Sequence, residues 1–507
     1  MRYASIIGLE IHVRLKTATK MYCRCPNVPE TTPPNTAICP VCTGQPGSLP
    51  AVNEQAIRLG IRVGLALGAH VPGRASFDRK NYFYPDLPKG YQITQMDHPV
   101  VQGGTLQIDS PLTPEGVRTI GITRAHLEED AAKNIHDPVS GSTFVDYNRA
   151  SAPLLEIVTE PDIRSPQEAK AFLQELQALL RGIGASDADM EKGYMRCDAN
   201  ISLLPIDEDG HALQREFNPK VEVKNMNSFR SVERAIQFEI ERQTVIYSAG
   251  STVVSETRGW DDARNETLSQ RSKETNADYR YFPEPDLPDI DLVRIREEER
   301  AKLPELPAET RLRLQDEYGF TKEDARLLVE RGWTTFAEQT MSELGGWLEA
   351  RDTSGASGGE LLETRRADTA KLLSNWLLNK LAGLLAERGI DLTEAKIDAE
   401  NMAEFLQIVS EGTLNSTNAQ KLLTLMLETG ADPSHILEEH SLGQMSDTGA
   451  IEQTVRDVIT ANPAQAEQVR GGKEAVLKWF VGQVMKATEG RIDPKSAEEM
   501  LRKELLG

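Results

Sequence analysis

Hydrophobic and polar residues alternate from the first strand-like stretch of the chain: Leu9, Ile11 and Val13 share one parity, Gly8, Glu10 and His12 the other. A period of two predicts a strand over 1–15 with one buried face, and sets Glu10 and His12 side by side on the other face. The pattern turns helical over 51–70. Leu154, Leu155, Ile157 and Val158 predict an apolar strand around a single carboxylate, Glu156, and 166–184 reads as a helix. Alternation returns at 220–224, with Val221 and Val223 inward and Glu222 and Lys224 on the opposite face, followed by a helix to about 248. Prolines at 283, 285 and 288 predict a stiff linker. Residues 296–350 read as charged helices, 352–359 as a flexible Gly/Ser linker, and 360–507 as short helices. In the last of these, Leu477, Phe480, Val481 and Val484 form an apolar face, with Lys473, Lys478 and Lys486 off it. The expected class is α+β: a sheet-containing core over 1–295, a helical connecting segment over 296–358 and an all-helical tail over 360–507.

One stretch follows neither period. Residues 77–95 combine Asp78, Arg79, Lys80 and Lys89 with Phe77, Tyr82, Phe83, Tyr84 and Tyr91, two prolines and Gly90. The prolines exclude a helix. The aromatics either anchor a structural loop or, with the cations, receive an anionic or planar ligand such as a nucleotide; the residues alone leave both readings open.

Composition narrows the class. A hydrophobic content of 39% in 507 residues supports more than one core. No run approaches the roughly 18 apolar residues of a membrane helix, and the N-terminus has no signal-peptide pattern, so the expectation is a cytoplasmic protein. A net charge of −21 argues against non-specific binding of nucleic acid over the whole surface. The near charge balance of the last helical segment, from Lys473 onward, would let that part approach RNA. Four of the five cysteines cluster as Cys23-Arg-Cys25 and Cys39-Pro-Val-Cys42. Four thiolates close a tetrahedral zinc site, which would replace a core in the irregular segment 20–50. Cys197 stands alone and reads as a small buried hydrophobe.

Glu10, Glu129, Glu156 and Glu222, with His12, offer hard ligands suited to Mg²⁺ beside phosphate. There is no G-x-x-x-x-G-K-[ST], G-x-G-x-x-G or kinase catalytic-loop set, so any ATP would sit in a cradle of another kind. These residues describe a metal-dependent phosphoryl-transfer enzyme with a helical, RNA-facing tail.

Longer motifs carry a resemblance. GLEIHV at 8–13, FDRKNYFYPDLPKGYQI at 77–93, HLEEDAAK at 126–133, PLLEIVTEPDIRSP at 153–166, RCDANIS at 196–202, VEVKNMNSF at 221–229 and DYRYFPEPDLP at 278–288 resemble, in order, the B-subunit family of the aspartyl/glutamyl-tRNA amidotransferases. The chain has no room for the inserted domain of the archaeal relatives, so the bacterial or organellar type fits. The resemblance implies a mixed-sheet, cradle-like catalytic core with a zinc-binding loop insertion, then all-α linker and tRNA-binding tail domains. It implies ATP- and Mg²⁺-dependent phosphorylation of the side-chain carboxylate of mischarged Glu-tRNA(Gln) or Asp-tRNA(Asn). Amidation would follow, with ammonia supplied by the partner A subunit, an amidase; the implied heterotrimer is completed by a small C subunit. By motif, His12, Glu129 and Glu156 are the implied metal ligands, with Glu10 and Glu222 beside them. Arg79, Lys80, Tyr82 and Lys89 are assigned to the nucleotide or the aminoacyl end, Cys23, Cys25, Cys39 and Cys42 to structural zinc, and Lys473, Lys478 and Lys486 to tRNA. The alternatives are a zinc-stabilised RNA-binding scaffold without chemistry and an ATP-dependent ligase for a free small acid.

Overall fold

A computed structural model describes residues 2–272, 278–351, 357–443, 448–488, 492 and 494–506. The chain divides into two compact units, Met1–Pro307 and Ala308–Gly507.

The first unit is built on a nine-stranded mixed sheet. Its strands are β1 (Arg2–Arg14), β2 (Val101–Gln102), β3 (Thr105–Asp109), β4 (Val117–Glu129), β5 (Pro153–Thr159), β6 (Met195–Ile206), β7 (Val221–Met226), β8 (Glu256–Asp261) and β9 (Glu266–Ser272). The order is β9-β8-β7-β6-β1-β5-β4-β2, with β3 also paired to β4. The pair β7–β8 is parallel; its neighbours β6–β7 and β8–β9 are antiparallel.

The register explains why the sheet has two unlike faces. Ile11 lies opposite Ile157 on one side and Cys197 on the other, and Ile157 opposite Ala125. Directly opposed residues in antiparallel strands share a face, so these side chains form one apolar row. They join a core with Ile57 and Ile61 of helix α1 (Glu54–Ala66), Phe172 and Leu176 of α2 (Pro166–Gly182) and Val232 and Ile236 of α3 (Phe229–Ser248). Asn53, Ser165 and Ser228 cap these helices through their side-chain oxygens. Each fully buried Ile or Phe in this layer contributes about 1.5–3 kcal/mol. Cys197 belongs to this layer, and burial pushes its thiol well above the ordinary range. The other face is polar.

The stretch at 283–288 is a strap anchored within this unit through Glu284, not a stiff linker leading out of it. Phe282–Pro283 pairs with the short strand Asp78–Asn81, the Glu284 N–H donates to the Phe77 carbonyl, and the Glu284 carboxylate is buried against Arg79. Leu292 and Ile295 enter the same core, and Arg58 and Arg62 bind Glu298 and Glu299 of the helix Val293–Arg300, so this unit reaches Pro307 rather than 295.

In the second unit every described element is a helix. One core gathers residues between Leu314 and Leu442, with Trp376 edge-on to Phe405 at 4.9 Å. A separate small core runs from Ile451 to Leu505. Of the expected linker 352–359, residues 352–356 lie outside the described residues; Ser357 then caps the helix Gly358–Ser374 through a capping box with Glu360. In the helix Glu474–Ala487, Leu477, Phe480 and Val484 are buried, while Lys473, Lys478 and Lys486 are exposed.

Candidate functional site

The polar face of the sheet carries the densest group of ionisable side chains. His126 of β4, Glu156 of β5, His12 of β1 and Arg196 of β6 lie directly opposite one another, one row across four strands. Glu128, two residues beyond His126, points the same way. The His12 Nε2 is 3.4 Å from Glu156 Oε2 and 3.5 Å from Glu128 Oε1; the His126 Nε2 is 3.3 Å from Glu156 Oε2. His12, Glu128 and Glu156 each offer one ligand atom within 4.8 Å of the others, a grouping that could hold a cation. The His126 Nδ1 is buried with no hydrogen-bond partner among the described residues, which leaves Nε2 as the atom committed to Glu156.

Electrostatics shows the same demand for positive charge. Burial disfavours the His12 imidazolium, but the hydrogen bond with Glu156 and the charges of Glu128, Glu156 and Asp198 outweigh it and raise its pKa to about 9. Burial pushes Glu128 up, while the two imidazoles hold Glu156 down against its own burial. A proton on His12 thus does part of the work of a cation between two carboxylates.

The loop 77–95 brings Lys80 to this centre. Its ammonium lies 5.0 Å from the Tyr279 ring and 5.8 Å from the Tyr82 ring. Burial works against that charge, and Glu128 and Glu156 more than restore it, so its pKa is raised. Tyr84, Tyr82, Tyr279 and Tyr281 follow one another edge to face at centroid distances of 6.2, 6.0 and 6.1 Å. Phe83 and Tyr84 are exposed, and with Pro85, Leu87, Pro88, Lys89 and Gly90 they line a cavity of about 490 Å³.

Other expected site residues lie elsewhere. Glu129 has the opposite parity to Glu128; its carboxylate takes the Lys89 ammonium and the Ile93 N–H at 3.0 Å. Glu129 and Lys89 therefore neutralise each other outside the imidazole cluster. Arg79 is bidentate on Glu284 at 2.7 and 2.9 Å and stacks 4.3 Å from the Tyr91 ring, so its guanidinium ties the strap to the loop instead of facing Glu128 and Glu156. Glu10 shares the face of His12 but accepts from Asn200 Nδ2 at 3.0 Å. Glu222, opposite Asn200, accepts from Thr257 and pairs with Lys224. The parity of His126 and Glu128 was visible in the sequence; that their strand pairs with Glu156 was not.

Cys23, Cys25, Cys39 and Cys42 come together with one sulfur each within 4.8 Å of the others. The Cys39 and Cys42 sulfurs are 3.9 Å apart, close to the roughly 3.8 Å edge of a tetrahedron with 2.3 Å zinc–sulfur bonds. Lys20, fully buried, places Nζ 3.6 Å from Cys42 Sγ and 3.2 Å from the Tyr147 carbonyl. Bonding from Cys23 and the Lys20 charge lower the Cys42 thiol to about 4, against its burial, and burial raises Cys25 to about 11. An all-sulfur set at this spacing fits a structural zinc ion, which would bind the four sulfurs as thiolates. Sequence reading missed Lys20, which only the fold brings to the cysteines.

Comparison with known proteins is consistent along the whole chain. Residues 5–297 match the family described as the GatB/GatE catalytic domain, and residues 360–505 match the GatB domain. The B subunit of the aspartyl/glutamyl-tRNA(Asn/Gln) amidotransferase of Thermotoga maritima is 43% identical over 512 residues, covering 100% of both chains. The protein of the same name from Picosynechococcus is 43% identical over 515 residues, covering 100% of this chain and 98% of its own. That of Halorhodospira halophila is 43% identical over 509 residues, with full coverage of both. The His12–Glu128–Glu156 centre lies inside the matched catalytic domain, and the chain belongs to the GatB/GatE family.

Proposed function

We propose that this chain is the B subunit of a glutamine-hydrolysing, tRNA-dependent amidotransferase, and that the polar sheet face performs its phosphoryl-transfer step. The substrate is the side-chain carboxylate of Glu-tRNA(Gln) or Asp-tRNA(Asn). A carboxylate oxygen attacks the γ-phosphorus of ATP; the bond to the β–γ bridging oxygen breaks, and ADP leaves. Ammonia from a partner amidase then attacks the acyl carbon, and inorganic phosphate leaves with the activated oxygen. Such transfer depends on positioning and charge neutralisation, which a set of carboxylates and cations supplies without a protein nucleophile.

The observation that carries this reading is the cluster of His12, Glu128 and Glu156, with Lys80 near enough for Glu128 and Glu156 to sustain its charge. Those three side chains would hold Mg²⁺, which when bound neutralises phosphate oxygens. His126 orients Glu156. Lys80 meets the polyphosphate, and the tyrosines from Tyr84 to Tyr281 offer flat surfaces to a base. Arg79 and Lys89 shape the loop rather than touch the nucleotide. The four cysteines hold structural zinc. The helical tail, with Lys473, Lys478 and Lys486 outward, contacts tRNA. A small third polypeptide joins this chain and the amidase. No helix among the described residues is long and apolar enough to cross a membrane, in keeping with a cytoplasmic role.

The test is phosphate release from γ-labelled ATP by the complex reassembled with its amidase partner. Release should require mischarged tRNA and Mg²⁺ and fall by about 10²–10³-fold with Glu156→Gln. Release indifferent to tRNA would instead favour a ligase for a free acid, and amidation that survives Glu156→Gln would favour a scaffold.

A further inference from the structure

We propose that the cysteine cluster is a brace for the catalytic edge of the sheet, acting through a backbone contact between Gly44 and Lys89 that sets the position of Glu129 and its neighbour Glu128. The contact is unusually close. A Cβ built on Gly44 would lie 2.8 Å from Lys89 Cγ, 3.0 Å from the Lys89 nitrogen and 3.0 Å from the Pro88 carbonyl carbon. Two of these atoms are backbone, so no rotamer change would relieve the overlap.

The knuckle that delivers Gly44 is bonded to itself. Thr43 N–H donates to Cys39 O at 3.1 Å, Gly44 N–H to Val41 O at 3.1 Å and Gln45 N–H to Pro40 O at 2.9 Å, and the Thr43 hydroxyl reaches Cys39 O at 2.8 Å. Closing the four sulfurs on one ion would fix this turn in space. The other cysteine arm bears on the same lysine: Tyr22, directly before Cys23, is buried with its ring 5.7 Å from the Lys89 ammonium. Both arms therefore converge on Lys89.

From Lys89 the path is short. Its ammonium holds the Glu129 carboxylate, Ile93 N–H bonds the same carboxylate at 3.0 Å, and Gln92 Nε2 donates to the Glu129 carbonyl at 2.7 Å. Three residues of the loop thus grip Glu129 by side chain and backbone, and Glu128 is the next residue back on the strand. A displaced loop would carry Glu128 with it, and a shift of about 1 Å in a catalytic group costs on the order of 10²-fold in rate. On this view the zinc knuckle holds the active geometry without touching the substrate. The activity arm of the test rests on the proposed phosphoryl transfer; the exchange arm does not.

Gly44 and Gly47 provide a matched pair. Both are left-handed, at φ +68° and +83°, but nothing lies within 4 Å of a Cβ on Gly47. Alanine therefore adds similar backbone strain at each and a collision only at Gly44. In the full-length chain, Gly44→Ala should keep its zinc and speed deuterium exchange over 87–95 and 128–130. In the reassembled complex it should lower tRNA-dependent phosphate release about 10²-fold through kcat, with little change in tRNA affinity. Gly47→Ala should match the parent in all four. Zinc removal from the parent chain by a chelator needs no substitution, and should raise exchange over the same two segments. Unchanged exchange at 87–95 in both Gly44→Ala and the zinc-free parent would overturn the brace, as would equal loss of activity in Gly47→Ala. If the parent complex released no phosphate, the proposed function would fail while the exchange data still decided the brace.

Discussion

The thiol cluster and the carboxylate–imidazole centre of the first unit are built in opposite ways. The thiol cluster comes from one loop, its donors fall within 23–42, and all four are sulfur. The carboxylate–imidazole centre comes from three strands, its donors span 12–156, and they are two carboxylates and one imidazole. Four closed sulfurs leave no place for a substrate and suit structure. The strand-borne set is made of carboxylates and an imidazole, with Lys80 held charged by Glu128 and Glu156, which suits a phosphate-bearing ligand. A local site can form before the fold is complete, whereas the strand-borne site exists only once the sheet is in register.

That contrast predicts unequal responses to mutation. The largest effect belongs to His12→Ala and Glu156→Gln. Each should cut tRNA-dependent phosphate release by about 10²–10³-fold, the scale for losing one electrostatic stabiliser, while tRNA binding measured by filter retention stays at the parent level. Next, Cys39→Ser with Cys42→Ser should remove zinc, read as metal per chain, and increase proteolysis within 20–50 without abolishing Mn²⁺ binding at the carboxylates. Unchanged zinc would show that the four-sulfur site is wrong. Glu284→Ala removes the buried partner of Arg79 and leaves it Asp286 at 3.0 Å, and should cost about 1–3 kcal/mol of stability by denaturant titration. Reversing Lys473, Lys478 and Lys486 to Glu should weaken tRNA binding and flatten its salt dependence, leaving ATP affinity unchanged.

The smallest effect is acid sensitivity at Asp130. Burial raises its pKa, but Arg196, Arg149 and Arg14 together hold it below the ordinary value. A depressed folded pKa gives stability that is present above the unfolded value of about 3.9 and is lost as pH falls through the folded one. Asp130→Asn should therefore flatten the acid limb of the stability profile below about pH 4.

The same contrast decides how much was legible in the sequence. Strand faces were plain at 8–13 and 221–224 because period two is a local property. The cysteines declared themselves by spacing. Glu128 did not: the motif at 126–130 offers two adjacent glutamates, and only the pairing of Glu156 with His126 shows which one faces His12. The 283–288 stretch looked like a linker because prolines signal rigidity; that Glu284 is buried against Arg79 is a long-range fact. Arg79 and Lys89 looked available for a nucleotide because their partners, Glu284 and Glu129, lie far along the chain.

The most direct measurement is Mn²⁺ binding to the purified chain by electron paramagnetic resonance, comparing Glu128→Gln, Glu156→Gln and Glu129→Gln. The strand-borne centre predicts that the first two variants lose the bound signal while Glu129→Gln keeps it. Loss of the signal in Glu129→Gln with retention in Glu128→Gln would contradict the account and move the centre to the other face of the strand.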